Sequence, residues 1–208
     1  MSEITSDTLV LAASVTGLEA GSIVFEFGSG EGAAIIEAHL ANDGCMWTGI
    51  DCRYEALLRS RYAAARHQDL HYNPVCCLVE DVTKVFPEGC ADLVLMNPPY
   101  NVSDRGRVSP ESERSVARSG TGLLIYEFLR SASHLLRMGG RMVMVNRPAE
   151  LCRILTGCSA AGLVPCSLQP VGEDGQPAVI VVIEARRSEQ RAFELLPQRT
   201  IPEIVSGD

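Results

Sequence analysis

The sequence predicts an α/β chain, a doubly wound and mostly parallel sheet of seven strands with an antiparallel edge hairpin. Three observations carry this. From residue 22 onward, short β-rich runs alternate with helical or helix-length connections. The first run, 22–27, passes directly into Gly28-Ser29-Gly30-Glu31-Gly32 and then a helical stretch. In such a turn, alternating glycines let the chain bend tightly and let a ligand approach the backbone. Finally, four successive runs end in residues suited to binding: the glycine turn, Asp51, Glu80-Asp81 and Asn97. A parallel sheet collects such residues on one edge, outside the carboxyl ends of its strands.

Taken in order, residues 7–16 read as a helix capped by Ser6 or Asp7, with Leu9, Val10 and Ala13 on one face, ending at Gly17. The strand 22–27 and its glycine turn lead into a helix over 33–41. A turn of this kind also serves strand–helix connections that bind nothing. Trp47-Thr48-Gly49-Ile50 forms the second strand and ends in Asp51-Cys52, before an Ala- and Arg-rich helix over 54–67. Asp51 falls about 20 residues past the glycines, where nucleotide-type folds set a carboxylate to accept both ribose hydroxyls. The third strand is read as 75–79 and the fourth as 92–96. Residues 102–120 are polar and aperiodic, with Arg105, Arg107, Arg114 and Arg118 against Asp104, Glu111 and Glu113. This long segment is either a substrate lid or a solvated insertion. A helix over 121–136, closed by Met138-Gly139-Gly140, precedes a fifth strand, 141–146, and Arg147-Pro148 opens a helix over 149–160. Strands 163–169 and 178–184 flank Gly172-Glu173-Asp174-Gly175, the pattern of an edge hairpin.

The 208 residues suit one domain with a sizeable core, assigned to 1–185, and a loosely attached C-terminal tail, 186–208. Apolar residues at 46% and charged residues at 21% give a globular balance. The apolar run 178–183 is far shorter than the about 20 residues of a spanning helix. Residues 1–20 hold acids and no basic stretch, so a cytoplasmic protein without membrane contact is expected. Eight cysteines form no Cys-x-x-Cys pair and no zinc-type Cys/His spacing. They read as reduced, mostly buried small side chains, and no metal is expected. The net charge of −8 arises entirely through Asp51, where eight acids meet no Lys or Arg, while the remainder holds eighteen of each sign. A polyanion can therefore approach only over the later part of the chain. The sequence specifies no oligomeric state.

The sharpest local chemistry is Asn97-Pro98-Pro99-Tyr100. Asn97 and Pro98 each precede a proline, which drives both towards extended geometry, and the prolines fix φ and remove two donors. The turn can therefore hold two acceptors, the Asn97 side-chain oxygen and the Pro98 carbonyl, in one plane beside the Tyr100 ring. That arrangement suits a planar NH2 attached to a π-system. A plain proline turn closing a strand is the alternative reading.

With these parts in place, the chain resembles the class I S-adenosylmethionine-dependent methyltransferases, with a Rossmann-like fold. Glu26-Phe27-Gly28-Ser29-Gly30-Glu31-Gly32 matches their acid-x-Gly-x-Gly-x-Gly pattern. The resemblance implies that this turn wraps the methionine end of the cofactor, that Asp51 and neighbouring Cys52 lie at its ribose, that Asp81 and Val82 meet its adenine, and that Asn97 also borders the cofactor. Asn97-Pro98-Pro99-Tyr100 resembles the amino-methylating signature of N6-adenine and release-factor glutamine methyltransferases. Ser6-Asp7-Thr8-Leu9-Val10-Leu11-Ala12, Leu135-Leu136-Arg137-Met138-Gly139-Gly140 and Val145-Asn146-Arg147-Pro148-Ala149-Glu150-Leu151 are similar to segments of the bacterial valine-tRNA adenine N6-methyltransferases. The resemblance thus implies transfer to adenine N6 in tRNA, with Arg118 and Arg147 on the substrate side. Two departures fall on that side: Ala117-Arg118-Ser119-Gly120 replaces a family Ala-Arg-His-Glu, and Asn146-Arg147-Pro148 replaces His-Arg-Pro. Arg147 reads equally as a surface cation or a phosphate contact. Other readings are a glutamine methyltransferase using the same pocket for a carboxamide, and a cofactor-binding protein without catalysis. A nicotinamide oxidoreductase would share the glycine turn but leave Asn97 to Tyr100 without a role.

Overall fold

The computed structural model describes residues 4–99, 121–188 and 192–201. Tyr100, the polar segment 102–120 and Arg118 lie outside these residues. Strands β1 (Ile23–Phe27), β2 (Met46–Asp51), β3 (His71–Cys76), β4 (Ala91–Met96), β5 (Leu136–Asn146), β6 (Val164–Gly172) and β7 (Ile180–Arg186) run in the order β3-β2-β1-β4-β5-β7-β6. β1 pairs in parallel with β2 and β4, β2 with β3, and β4 with β5. β7 is antiparallel to both β5 and β6. The doubly wound sheet and its antiparallel edge are as the sequence predicts.

Two helical layers cover the sheet because its central strands alternate apolar residues between both faces, as buried parallel strands do. On one face, α1 (Ser6–Ala13) and α2 (Ala33–Leu40) bring Val10, Leu11, Ala34 and Ile35 onto Val24, Leu93, Leu95 and Val143. On the other, α5 (Thr121–Leu135) and α6 (Leu151–Ala160) bring Phe128, Leu129, Ile154 and Cys158 onto Phe27, Val94, Met96 and Met144. The Phe27 and Phe128 rings meet edge to face at 6.0 Å. Between β2 and β4 lie α3 (Tyr54–Ala64) and a single-turn α4 (Val82–Val85). No described helix is long and apolar enough to cross a membrane.

Several local expectations change. Thr5 rather than Ser6 or Asp7 caps α1, which ends at Ala13. Of the eight cysteines, expected to be mostly buried, only Cys45, Cys158 and Cys166 are. The third strand is β3, His71–Cys76, rather than 75–79, and Val79–Asp81 forms a 3-10 turn. β3 is the edge strand, where Pro74 costs no ladder bond and a half-exposed polar sequence is tolerated, so no apolar run marks it. β5 begins at Leu136 rather than Arg141, with a register shift between Ala91 and Leu93 of its partner. Gly140 permits this irregularity: a Cβ there would stand 2.9 Å from the Arg137 carbonyl oxygen and 3.1 Å from that of Ala91. Within the expected loose tail, β8 (Glu194–Leu195) and β9 (Arg199–Thr200) both pair with β6.

Candidate functional site

The parallel pairing of β1 to β4 puts their carboxyl ends on one edge, where the glycine turn forms the floor. Gly28 and Ser29 N–H groups both donate to the Ile50 carbonyl, at 2.8 and 3.0 Å, pinning the turn to the end of β2. Gly28 and Gly32 take φ of 70° and 80°, in the left-handed region that costs glycine nothing. Gly32 is also a close approach, since a Cβ there would lie 3.1 Å from that of Ser60 on α3. α2 starts at once behind Gly32 without a side-chain cap, the arrangement in which helix-start donors face a ligand.

Asp51 ends β2 and is buried. Its Oδ2 accepts from Gly30 N at 2.9 Å, so the carboxylate braces the glycine turn. Its Oδ1 accepts from Arg53 N at 2.8 Å, and the Arg53 guanidinium closes on both oxygens, Nε to Oδ1 and Nη2 to Oδ2, each at 3.0 Å. The hydrogen bond to Asp51 raises the Arg53 pKa. Cys52, between them, is exposed.

Glu26 lies on β1 opposite Gly49 of β2 and Leu95 of β4, fully enclosed, and its Oε2 has no hydrogen-bond partner. Burial, and then the charge of Asp51, push its carboxyl up to about 8, so it is protonated at neutral pH. Beside it, Tyr72 of β3 meets Ser60 Oγ at 2.9 Å, and Ser60 donates to the Leu57 carbonyl at 2.8 Å. Burial raises the Tyr72 pKa. These side chains fit because Gly49 has none: a Cβ there would fall 2.5 Å from the Tyr72 hydroxyl and 2.7 Å from Ser29 Oγ. Sequence reading missed Gly49, Arg53, Ser60 and Tyr72. A glycine inside a strand, two residues before a strand-end carboxylate, was the available signal. Gly49→Ala is expected to destabilise the fold by about 1–3 kcal/mol through overpacking and to weaken cofactor binding, as urea denaturation and calorimetry would register.

Asp81 closes the 3-10 turn after β3 and pairs with the exposed Lys84, while Val82 is fully buried behind it. Ser131 of α5 holds this connection by donating to the Val79 carbonyl at 2.7 Å. On the other side of β1, β4 pairs Met96 with Phe27, so Asn97 follows directly beside the glycine turn. Asn97 and Pro99 are half-buried and Pro98 is buried. At the end of β5, Asn146 is buried and its Oδ1 accepts from Arg147 N at 2.8 Å. The Arg147 guanidinium donates to the Val179 carbonyl at 3.2 Å and reaches the buried Asp7 of α1 at 3.5 Å. Its described contacts are thus internal, tying α1 and the start of β7 to the end of β5. Among the described residues, no group of three or more His, Cys, Asp or Glu side chains is arranged to hold a metal ion.

Residues 3–156 match the family model described as the methyltransferase small domain. The chain belongs to that family. It is an S-adenosylmethionine-dependent methyltransferase. The site fits this cofactor: Gly28 and Gly30 leave backbone accessible for a close approach while Gly32 packs against α3, and the adjoining groups are the acids Glu26 and Asp51, one with a buried unpaired oxygen. No curated protein matches in sequence. Among solved structures, a predicted O-methyltransferase, protein Atu636 from Agrobacterium tumefaciens, is similar in fold. It is 18% identical with a TM-score of 0.74, covering 97% of this chain and 96% of its own. TrmN from Thermus thermophilus is 20% identical with a TM-score of 0.60, over 86% of this chain and 46% of that one. Geranyl diphosphate C-methyltransferase from Streptomyces coelicolor A3(2), in complex with S-adenosyl-L-homocysteine, is 15% identical with a TM-score of 0.59, over 88% and 79%.

Proposed function

We propose that this methyltransferase acts on an exocyclic amine, the N6 of adenine in tRNA. The observation that carries the reading is that β4 delivers Asn97-Pro98-Pro99 beside the glycine turn, with Met96 in register with Phe27. An acceptor held by this motif then stands next to the cofactor's methyl-bearing end. Likeness of three further segments to the valine-tRNA enzymes supports adenine in tRNA as the acceptor.

In this reading Glu26, Gly28, Gly30 and Gly32 enclose the methionine portion. Asp51 accepts the ribose hydroxyls with Cys52 alongside, and Asp81 and Val82 bound the adenine. The bound cofactor supplies an electrophilic methyl group on a sulfonium. The chain's task is to orient the amine, whose lone pair is delocalised into the ring. Asn97 Oδ1 and the Pro98 carbonyl accept its two hydrogens, which favours a pyramidal nitrogen and aims its lone pair for in-line transfer; the N–C bond forms as the S–C bond breaks, the sulfur leaves as a neutral thioether, and the nitrogen gives up one hydrogen as a proton to water. Pro99 stiffens the turn and Tyr100 stacks on the base. An anticodon-loop adenine is already exposed, so the enzyme has little base-flipping cost to meet. Arg118 and Arg147 remain the proposed substrate-side cations, Arg147 only if its guanidinium leaves Asp7.

Labelled cofactor incubated with total tRNA and, separately, with release factor tests this. Label in tRNA is expected. Label in polypeptide alone would instead identify a glutamine methyltransferase, and label in neither a cofactor-binding protein without catalysis. For the cofactor half of the site, Asp51→Ala is expected to weaken S-adenosylmethionine binding by about 1.5–3 kcal/mol, the worth of hydrogen bonds to a charged group. An unchanged affinity in calorimetry would remove Asp51 from the site.

A further inference from the structure

The carboxylate assigned to the ribose is already fully occupied. A carboxylate offers about four lone-pair positions. Oδ1 of Asp51 takes Arg53 N at 2.8 Å and Arg53 Nε at 3.0 Å. Oδ2 takes Gly30 N at 2.9 Å and Arg53 Nη2 at 3.0 Å. No position is left for two incoming hydroxyls. The four bonds divide into two kinds. Those from Gly30 N and Arg53 N are backbone bonds, fixed by the glycine turn and by the start of α3. The two from the guanidinium belong to a side chain that is 50% exposed, covering an Asp51 side chain that is 4% exposed. Nη2 also stands 3.4 Å from where a Cβ on Gly30 would be, so the guanidinium lies in the space the glycine turn keeps open.

We propose that the Arg53 guanidinium is an internal stand-in for the cofactor's ribose diol, competing with the 2′- and 3′-hydroxyls for the Asp51 carboxylate and displaced by them on binding. Nε–H and Nη2–H form a planar two-donor fork, and a vicinal cis-diol is also a two-donor group of short span, so both suit the same pair of oxygens. When the fork leaves, the two backbone bonds still orient the carboxylate, and the diol takes the vacated positions. Arg53 therefore sets cofactor affinity by competition rather than contact. A closed form of a half-exposed ion pair is favoured only modestly, and the apparent dissociation constant rises with its population.

This inference rests on Asp51 as the ribose acceptor, and the experiment separates the two. Calorimetry uses S-adenosyl-L-homocysteine, whose lack of a sulfonium removes charge repulsion with Arg53 as another cause of any change. Arg53→Ala is expected to bind it about twofold to sixfold more tightly than the unaltered protein. Arg53→Lys, which keeps the charge but loses the fork, should move in the same direction by less, and it carries the test if the alanine variant folds poorly. In an Asp51→Ala background, Arg53→Ala should change nothing further. If Asp51→Ala weakens binding while both Arg53 variants bind equally or less well than the unaltered protein, the competition is overturned and the ribose reading stands. If Asp51→Ala leaves affinity unchanged, the ribose reading fails and the inference with it.

Discussion

Asn97→Ala is expected to lower methyl transfer on the order of a hundredfold or more while leaving cofactor affinity within about twofold, the scale of losing one oriented group that acts only on the transition state. The asymmetry follows from position. β4 is among the most rigidly packed elements of the chain, with Leu93, Val94, Leu95 and Met96 all fully buried. The strand presents Asn97 at the sheet edge, and two prolines after it fix the direction the chain leaves. The side chain is half-buried at that edge rather than in the core, so truncation opens no core cavity. The proposed cofactor contacts of the glycine turn, Asp51, Asp81 and Val82 come from other segments and stay in place. Single-turnover rates on tRNA, measured with calorimetry of the cofactor, read both quantities. A rate within a fewfold of the unaltered protein would end the amine-pocket reading. Asp51→Ala gives the opposite pattern, lost affinity with a rate that recovers when the cofactor is saturating.

What could be read beforehand, and what could not, divides by the range of the interaction. The glycine turn, Asp51 and the β4 strand are written in consecutive residues: strand propensity, then φ-permissive glycines or a terminal carboxylate. Each was legible. β3 was misplaced because an edge strand half in water needs no apolar run, and His71-Tyr72-Asn73-Pro74 has none. β8 and β9 have two residues each, too short for any period. The packing of Tyr72 and Ser60 around Gly49 joins three elements, and only the glycine hinted at it. The contact of the Arg147 guanidinium with Asp7, 140 residues earlier, joins elements far apart in the chain, and no local pattern announces it. The pairing of Arg53 with Asp51 spans two residues, yet it depends on a side-chain rotamer that no sequence pattern encodes.

Glu26 should make the fold less stable as pH rises from about 4.5 to about 8. Its carboxyl is enclosed, one oxygen is unpaired, and burial followed by the charge of Asp51 raises it from 4.5 to about 8. The folded chain therefore holds a proton that the unfolded chain releases, so the associated stability is complete below pH 4.5 and is lost as pH rises through 8. Glu26→Gln keeps the shape without the titration. Urea denaturation of both proteins from pH 5 to 9 should show the unaltered chain losing ground to the variant across that window. The upper limit is about 5 kcal/mol, from the difference between 4.5 and 8 at 1.36 kcal/mol per pH unit. Parallel stability curves would mean that Glu26 is ionised in the folded chain. The same proton should couple to the cofactor. S-adenosylmethionine carries a sulfonium and an ammonium, and a cation beside a carboxyl favours its charged form. Binding near pH 7 should then release up to about one proton, measurable as a dependence of the calorimetric heat on the buffer's ionisation enthalpy. The dependence should vanish in Glu26→Gln, and its persistence there would assign the proton to another group.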